Sequence, residues 1–227
     1  MRKMSKINVI IPIKMELIDL RKIKTVFICP DHNEKYKARY NYMITLLQTL
    51  GFEKIIHYKS SSPGQYEPYP LNRATYDILQ MHADEPVFII EDDLEFVNNP
   101  QLIFEVPSDA DAVYFGISGS NFNFEKDKNE GHAKFEIINS KYMRVLNMLS
   151  AHAILYLSPN YKSFISSVLK NTNTANDIEI CKHQTRFNLL GLRKPICWQS
   201  AKFNIPWIEY ITKIQIKEDG YTAVLDI

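Results

Sequence analysis

The sequence predicts an α/β fold, a single Rossmann-type domain with a mixed central sheet flanked by helices. Three observations lead there. First, residues 25–58 read as strand, helix, strand. A β-rich run, Thr25-Val-Phe-Ile-Cys29, stops at Pro30-Asp31. Apolar residues then recur at Tyr40, Met43, Ile44, Leu47 and Leu50 with a helical period closed by Gly51, and a second β-rich run covers 52–58. Such a short β-α-β return is the first half of a nucleotide-binding sheet. Second, Pro86-Val-Phe-Ile-Ile-Glu91 reads as a strand buried on both faces, with Glu91, Asp92 and Asp93 side by side at its carboxyl end. Third, strands and helices go on alternating as far as Trp198.

A chain of 227 residues suffices for one large α/β domain with a modest extension. A hydrophobic fraction of 45% with 23% charged residues places it among ordinary soluble globular proteins. Lys and Arg total 27 against 26 Asp and Glu, so no strong global field draws the chain to nucleic acid; a local basic patch stays open. No apolar run approaches the ~18 residues of a membrane span, and the N-terminus lacks a secretory core, so a cytoplasmic protein without a transmembrane segment is expected. Cys29, Cys181 and Cys197 are odd in number and widely spaced, which suits buried reduced thiols better than disulfides or a zinc site.

In chain order, residues 1–24 form an N-terminal arm or extra strand, with an apolar run at 7–13. Residues 60–70, rich in Ser, Pro, Gly and Tyr, read as an irregular loop, and 71–82 as a helix with Leu71, Ala74, Ile78, Leu79 and His82 near one stripe. Asn99-Pro100 opens a short helix to residue 104. Residues 111–115 are a strand leading into small residues at 116–121, which allow a close backbone approach or a plain loop. The polar stretch 122–134 reads as a mobile connection, 135–148 as a strand pair or one bent strand, and 151–157 as a strand. Pro159 starts a helix to 169. Residues 171–176 form a turn and N-cap region, with Asp177 opening a helix to about 187. Residues 189–198 give a short strand. The C-terminal extension, 200–227, holds two β-like runs around Asp219-Gly220, a hairpin signal.

The acidic trio carries the chemistry. Like charges this close raise one another's pKa unless a cation sits among them, so the cluster asks for a divalent metal. It also stands where ligands bind in an open α/β sheet, beyond the carboxyl end of a strand. A solvated acidic loop is the alternative. No glycine-rich loop follows the first strand, so phosphate would be held by side chains or metal. Arg39 can supply charge for that, with His32 and Lys35 behind it; each is equally readable as a basic residue on a solvated helix face.

At this point the order of motifs resembles glycosyltransferases of the GT-A type, and most closely glycosyltransferase family 25, the lipooligosaccharide and collagen galactosyltransferase relatives. Residues 26–39 supply a first strand with a basic helix after it. Phe88-Ile-Ile-Glu-Asp-Asp-Leu94 looks like that family's acidic signature, and Val106-Pro-Ser-Asp-Ala-Asp-Ala-Val-Tyr-Phe-Gly116 like the stretch that follows it. Ala151-His-Ala-Ile-Leu-Tyr-Leu-Ser158 resembles the strand leading into a helix and an acidic residue, here Asp177. Lys194-Pro-Ile-Cys-Trp-Gln199 resembles the closing motif. The likeness spans residues 25–199, the catalytic domain it implies. The arm and the tail are unmatched, and the family's acceptor segment is replaced by residues 66–73.

The resemblance implies a GT-A-like domain that moves a sugar from a nucleotide-sugar donor to an acceptor hydroxyl, with inversion. Mn²⁺ or Mg²⁺ held by Glu91 and Asp93 would neutralise the charge that builds on the departing diphosphate. Asp92 would hold ribose or donor-sugar hydroxyls, and Arg39 the phosphate oxygens. His152 is a possible third metal ligand, or a hydrogen-bonded core histidine. Gln199 would bond donor or acceptor sugar, or satisfy buried backbone. Asp177 is nominated as the base, with Glu179 the near alternative; were Asp177 to cap its helix, its pKa would fall and it would serve poorly. The acceptor could be a glycan, a protein side chain or a hydroxylated DNA base. Tyr36, Lys37, Arg39, Tyr40, Tyr66, Tyr69, Arg73, Lys202, Phe203 and Trp207 are basic or aromatic residues able to stack either sugars or bases. The competing readings are a metal-dependent phosphodiesterase or nuclease, and a catalytically silent nucleotide-sugar or glycan-binding module.

Overall fold

The computed structural model describes residues 14–30, 33–61, 69–200, 214–216 and 222–224. The run at 7–13 and the candidates His32, Tyr66, Lys202, Phe203 and Trp207 lie outside the described residues. An eight-stranded mixed sheet organises the molecule. Its strands in chain order are β2 (Lys24–Ile28), β3 (Ile55–Tyr58), β4 (Val87–Glu91), β7 (Ala112–Tyr114), β10 (Lys134–Ile137), β11 (Tyr142–Asn147), β12 (Ala153–Tyr156) and β13 (Leu189–Leu192). Across the sheet they stand in the order β10-β11-β13-β7-β12-β4-β2-β3. β2 is parallel to both β3 and β4, and β13 is parallel to β7, whereas β12 runs antiparallel to β4 and β7.

The central strands are apolar at nearly every position, Lys24 and Thr25 of β2 and Glu91 of β4 excepted, because both faces are covered. Alternate residues therefore feed two cores. Val26, Ile28, Val87, Ile89, Tyr114 and Ile154 face one side. There they meet Ala74, Ile78 and Leu79 of α2 (Pro70–Met81), Ile165 and Leu169 of α3 (Pro159–Lys170), and Ile180 of α4 (Asn176–Cys181). Phe27, Phe88, Ile90, Val113, Phe115 and Leu155 face the other side, against Met43 and Leu47 of α1 (Glu34–Thr49). That second layer is completed by a ribbon of β1 (Met15–Asp19) with β6 (Ile103–Pro107), and by a pair of β5 (Leu94–Phe96) with β14 (Cys197–Gln199).

The helices α1 and α2 thus lie on opposite faces of the sheet. The chain leaves β2 toward β3 on one side, and the next parallel strand, β4, joins β2 on its other side. At their carboxyl ends β2 and β4 both lead into the layer that holds α1, β2 by the chain into α1 and β4 by the turn into β5. No helix among the described residues is long and apolar enough to cross a membrane.

Four segments depart from the sequence expectation. Residues 100–104 are not helical. Asn99 turns into the left-handed region (φ 53), and Ile103 to Pro107 alternate outward and inward as β6 pairs with β1. The stretch 122–134 is no plain connection, because β8 (Ser120–Asn123) and β9 (Lys128–Gly131) form a hairpin. The Asn123 side chain accepts the amides of Glu125 and Lys126 there, an Asx-type turn. The helix expected over 177–187 breaks after Cys181 and resumes as a short 3₁₀ turn, Gln184–Arg186. Residues 189–198 hold two strands, β13 and β14, with Lys194-Pro195 between them. In the tail, β15 (Ile214–Ile216) pairs antiparallel with β16 (Thr222–Val224); Asp219-Gly220 lies outside the described residues.

Candidate functional site

Glu91 is the last residue of β4 and pairs with Ile28 of β2, so it stands at the carboxyl end of both strands. Asp92 and Asp93 make the turn into β5. Both are buried, at 7% and 6% exposed, which water alone cannot compensate. Arg39 reaches in from α1 and is itself only 7% exposed. Its Nη1 donates to Asp92 Oδ1 at 2.9 Å and lies 4.0 Å from Asp93 Oδ2. The guanidinium is therefore engaged with the two aspartates and orients them.

β14 closes over the acidic turn. Leu94 is opposite Gln199, whose Nε2 donates to Glu91 Oε2 at 3.2 Å, and the Ser200 amide donates to the Asp93 carbonyl at 2.5 Å. Gln199 thus binds a site carboxylate. Ser200 was not singled out in the sequence, since a backbone contact leaves no signature there.

The electrostatics show what else converges. Burial holds the Glu91 carboxyl well above the usual carboxylate range, and the charges of Asp93, Asp177 and Asp92 push it further; Gln199 offsets part of this. Asp177 lies 86 residues further along the chain, in the first turn of α4, and the fold brings it near enough for its charge to act on Glu91. It is not a helix cap. Ala175 occupies the cap position, and no side chain there accepts a hydrogen bond. Asp177 Oδ1 accepts the Ile178 amide at 2.9 Å, but burial outweighs that bond and raises its pKa. Glu179 differs. Burial would raise its pKa too, yet hydrogen bonds from Lys182, Thr172 and Thr174 prevail and lower it. With Lys182 Nζ at 2.5 Å, its carboxylate belongs to the flank of α4.

His152 is opposite Glu91 on the neighbouring antiparallel strand, where its carbonyl accepts the Glu91 amide at 3.1 Å. Residues paired in this way direct their side chains to one face. The imidazole is 3% exposed, and burial lowers its pKa to about 4, so it is neutral. Nδ1 lies 2.8 Å from Ser150 Oγ, and Nε2 has no hydrogen-bond partner. The ring sits over Gly116, where a Cβ would come within 2.0 Å of Nε2. Gly116 falls in the run of small residues noted in the sequence; its neighbour proves to be a side chain of the fold.

Among the described residues no three His, Cys, Asp or Glu side chains converge as an all-protein metal cage. The donor set suits an ion of the Mg²⁺ or Mn²⁺ kind instead, bound by one or two carboxylates with substrate oxygens and water completing the shell. Glu91 and Asp93 could hold it, and the buried Asp92 Oδ2, without a hydrogen-bond partner, is a further oxygen in the same turn. The thiols are not part of this chemistry. All three cysteines are buried thiols outside any disulfide, with burial pushing Cys181 up to about 11 and Cys197 higher. The chain matches no protein-family model and no curated protein.

Proposed function

We propose that the chain is a metal-dependent glycosyltransferase of GT-A-like architecture, moving a sugar from a nucleotide-sugar donor to an acceptor hydroxyl with inversion. One observation carries the reading: Asp177, in the first turn of α4, is close enough for its charge to act on Glu91 at the carboxyl end of the central strands, and burial raises its own pKa. A carboxylate whose pKa is raised is a stronger base for removing the proton of a hydroxyl. In the transfer, the acceptor oxygen bonds to the anomeric carbon as the bond from that carbon to the diphosphate oxygen breaks. The electron pair leaves with the nucleoside diphosphate, and the hydroxyl proton passes to Asp177. A divalent ion on Glu91 and Asp93, when bound, supplies Lewis-acid stabilisation of the departing diphosphate. Arg39 holds Asp92 and Asp93 in position, and Gln199 fixes Glu91. Asp92 presents an acceptor oxygen for donor hydroxyls.

The test is a panel of UDP-, GDP- and CDP-sugars with and without Mn²⁺, followed by thermal shift and by release of nucleoside diphosphate. The reading expects one donor to stabilise the protein only when metal is present. At 100 times Kd that stabilisation is about 2.7 kcal/mol, at ~2–4 °C of Tm per kcal/mol for a chain of this size. No response to any donor, with cleavage of a phosphodiester instead, would favour the nuclease reading. Metal-dependent binding with neither transfer nor release would favour a silent module.

A further inference from the structure

The helix that carries Asp177 is too short to hold it. α4 has six residues, whereas an isolated helix needs ~12–15 to be even marginally stable in water. Ala175, at its cap position, offers no side-chain bond. Ile180, fully buried, attaches α4 to the core that it shares with α2. Apolar contact is non-directional, however, and does not decide how the helix is turned about its axis. Successive side chains on a helix stand about 100° apart, so a modest rotation of α4 would carry the Asp177 carboxyl away from Glu91.

Hydrogen bonds to α2 set that rotation. Asn176, the first residue of α4 and the neighbour of Asp177, is buried. Its Nδ2 donates to Thr75 Oγ1 at 2.8 Å and to the Leu71 carbonyl at 3.4 Å. Asn72, also buried, reaches back from α2, where its Nδ2 donates to the Thr174 carbonyl at 2.8 Å. Leu71, Asn72 and Thr75 are three and four residues apart and so share one side of α2. A carbonyl oxygen only accepts, so these partners also fix which end of each amide makes the bond. The loop before α4 is tied from its other side, where the Glu179 carboxylate accepts from Thr172, Thr174 and Lys182. α2 in turn packs Ala74, Ile78 and Leu79 into the core that holds Val87 and Ile89 of β4. A continuous path of buried contacts thus runs from β4 through α2 to the residue next to Asp177.

We propose that Asn72, Thr75 and Asn176 are positioning residues for Asp177: a buried clamp of two amides and a hydroxyl that sets the rotation of α4 and holds the Asp177 carboxyl where it takes the proton of the acceptor hydroxyl. The three act through Asp177 and not on the donor. The catalytic consequence rests on the transferase reading; the clamp on α4 does not.

Two substitutions at Thr75 separate the clamp from packing. Thr75→Val keeps the shape and loses the oxygen that Asn176 bonds, whereas Thr75→Ser keeps the oxygen and loses a methyl group. Both are compared with Asn176→Ala in the full chain by amide hydrogen exchange without ligand. Turnover is then read as release of nucleoside diphosphate from the UDP-, GDP- or CDP-sugar that responds in the panel with Mn²⁺. In Thr75→Val and Asn176→Ala the amides of α4 are expected to exchange about tenfold faster, the factor one lost buried hydrogen bond supplies, with β2 and β4 as in the native chain. kcat is expected to fall about 10- to 10²-fold, as a small misplacement of a reacting group costs, at unchanged donor Kd. Thr75→Ser is expected to stay near the native chain in both. The reverse order, Ser impaired and Val native-like, assigns Thr75 to packing and overturns the proposal, as does a donor Kd that weakens in step with kcat. Native turnover with kcat flat across the series overturns the proposal and spares the transferase reading. No turnover by the native chain with any donor removes the catalytic role along with that reading, and the exchange order then decides the clamp alone.

Discussion

The pair Arg39–Asp92 shows how little of a charged residue's role is visible in its type. Both side chains are about nine-tenths buried and bond at 2.9 Å. Breaking such a pair from one side leaves a buried charge uncompensated, which costs about 3–5 kcal/mol. Arg39→Met is therefore expected to lower stability by that order in urea unfolding, because Asp93 is deprived at the same time. A basic residue on a solvated helix face would give a change near zero. Gly116 is a second test at this scale. A methyl group there collides with His152 Nε2, and the ring is pinned on its other side by Ser150. Gly116→Ala is expected to cost about 1–3 kcal/mol through overpacking and to displace the imidazole, seen as a shift of its NMR ring signals. The sequence marked 116–121 as small residues but could not say what they make room for, because the contact joins the end of β7 to the start of β12, which are distant in sequence.

Among the elements, α2 has the most informative end. Its last carbonyls would face the interior unpaired. Lys162, 1% exposed on α3, fills that role by donating Nζ to the His82 and Glu85 carbonyls at 2.7 and 2.6 Å. Burial lowers its pKa, and the nearby charges of Asp84 and Glu85 counter this. Lys162→Met keeps the stem but orphans both carbonyls, so a loss of about 1–3 kcal/mol is expected in thermal unfolding. Glu85 adds a pH signature at the same corner. Hydrogen bonds from Lys24 and then His82 lower its pKa to about 2. The folded value lies below the unfolded one, so its contribution is present above the ordinary glutamate range and is lost as pH falls toward about 2. The Tm difference between the native chain and Glu85→Gln is expected to persist at neutral pH and to vanish at the acid end. The legible elements were those whose hydrophobic period matched their burial, such as α1, α2 and β4. Residues 100–104 misled because Asn99-Pro100 is a helix-start signal, whereas the alternation of Ile103 to Pro107 is decided by β1. The β8–β9 hairpin was illegible because its strands, Ser120–Asn123 and Lys128–Gly131, carry a single buried aromatic, Phe122, in place of an apolar alternation.

At the scale of the molecule, the acidic trio was legible because a buried strand ended in three adjacent carboxylates. Its neighbours were legible only as a set of candidates. Asp177 and Glu179 are two residues apart and chemically alike, yet the fold sets the charge of one to act on Glu91 and pairs the other with Lys182. That sorting depends on where α4 meets the sheet, a long-range contact that no local pattern encodes. The account therefore stands on a division of labour between the carboxylates at the end of β4 and the one carried by α4. Donor affinity and transfer rate, measured side by side for Asp93→Ala and Asp177→Asn, test this most directly. The account predicts that Asp93→Ala loses metal-dependent donor binding, while Asp177→Asn keeps donor Kd and loses about 10²- to 10⁴-fold in kcat. Donor binding unchanged in Asp93→Ala, or lost together with transfer in Asp177→Asn, would contradict it.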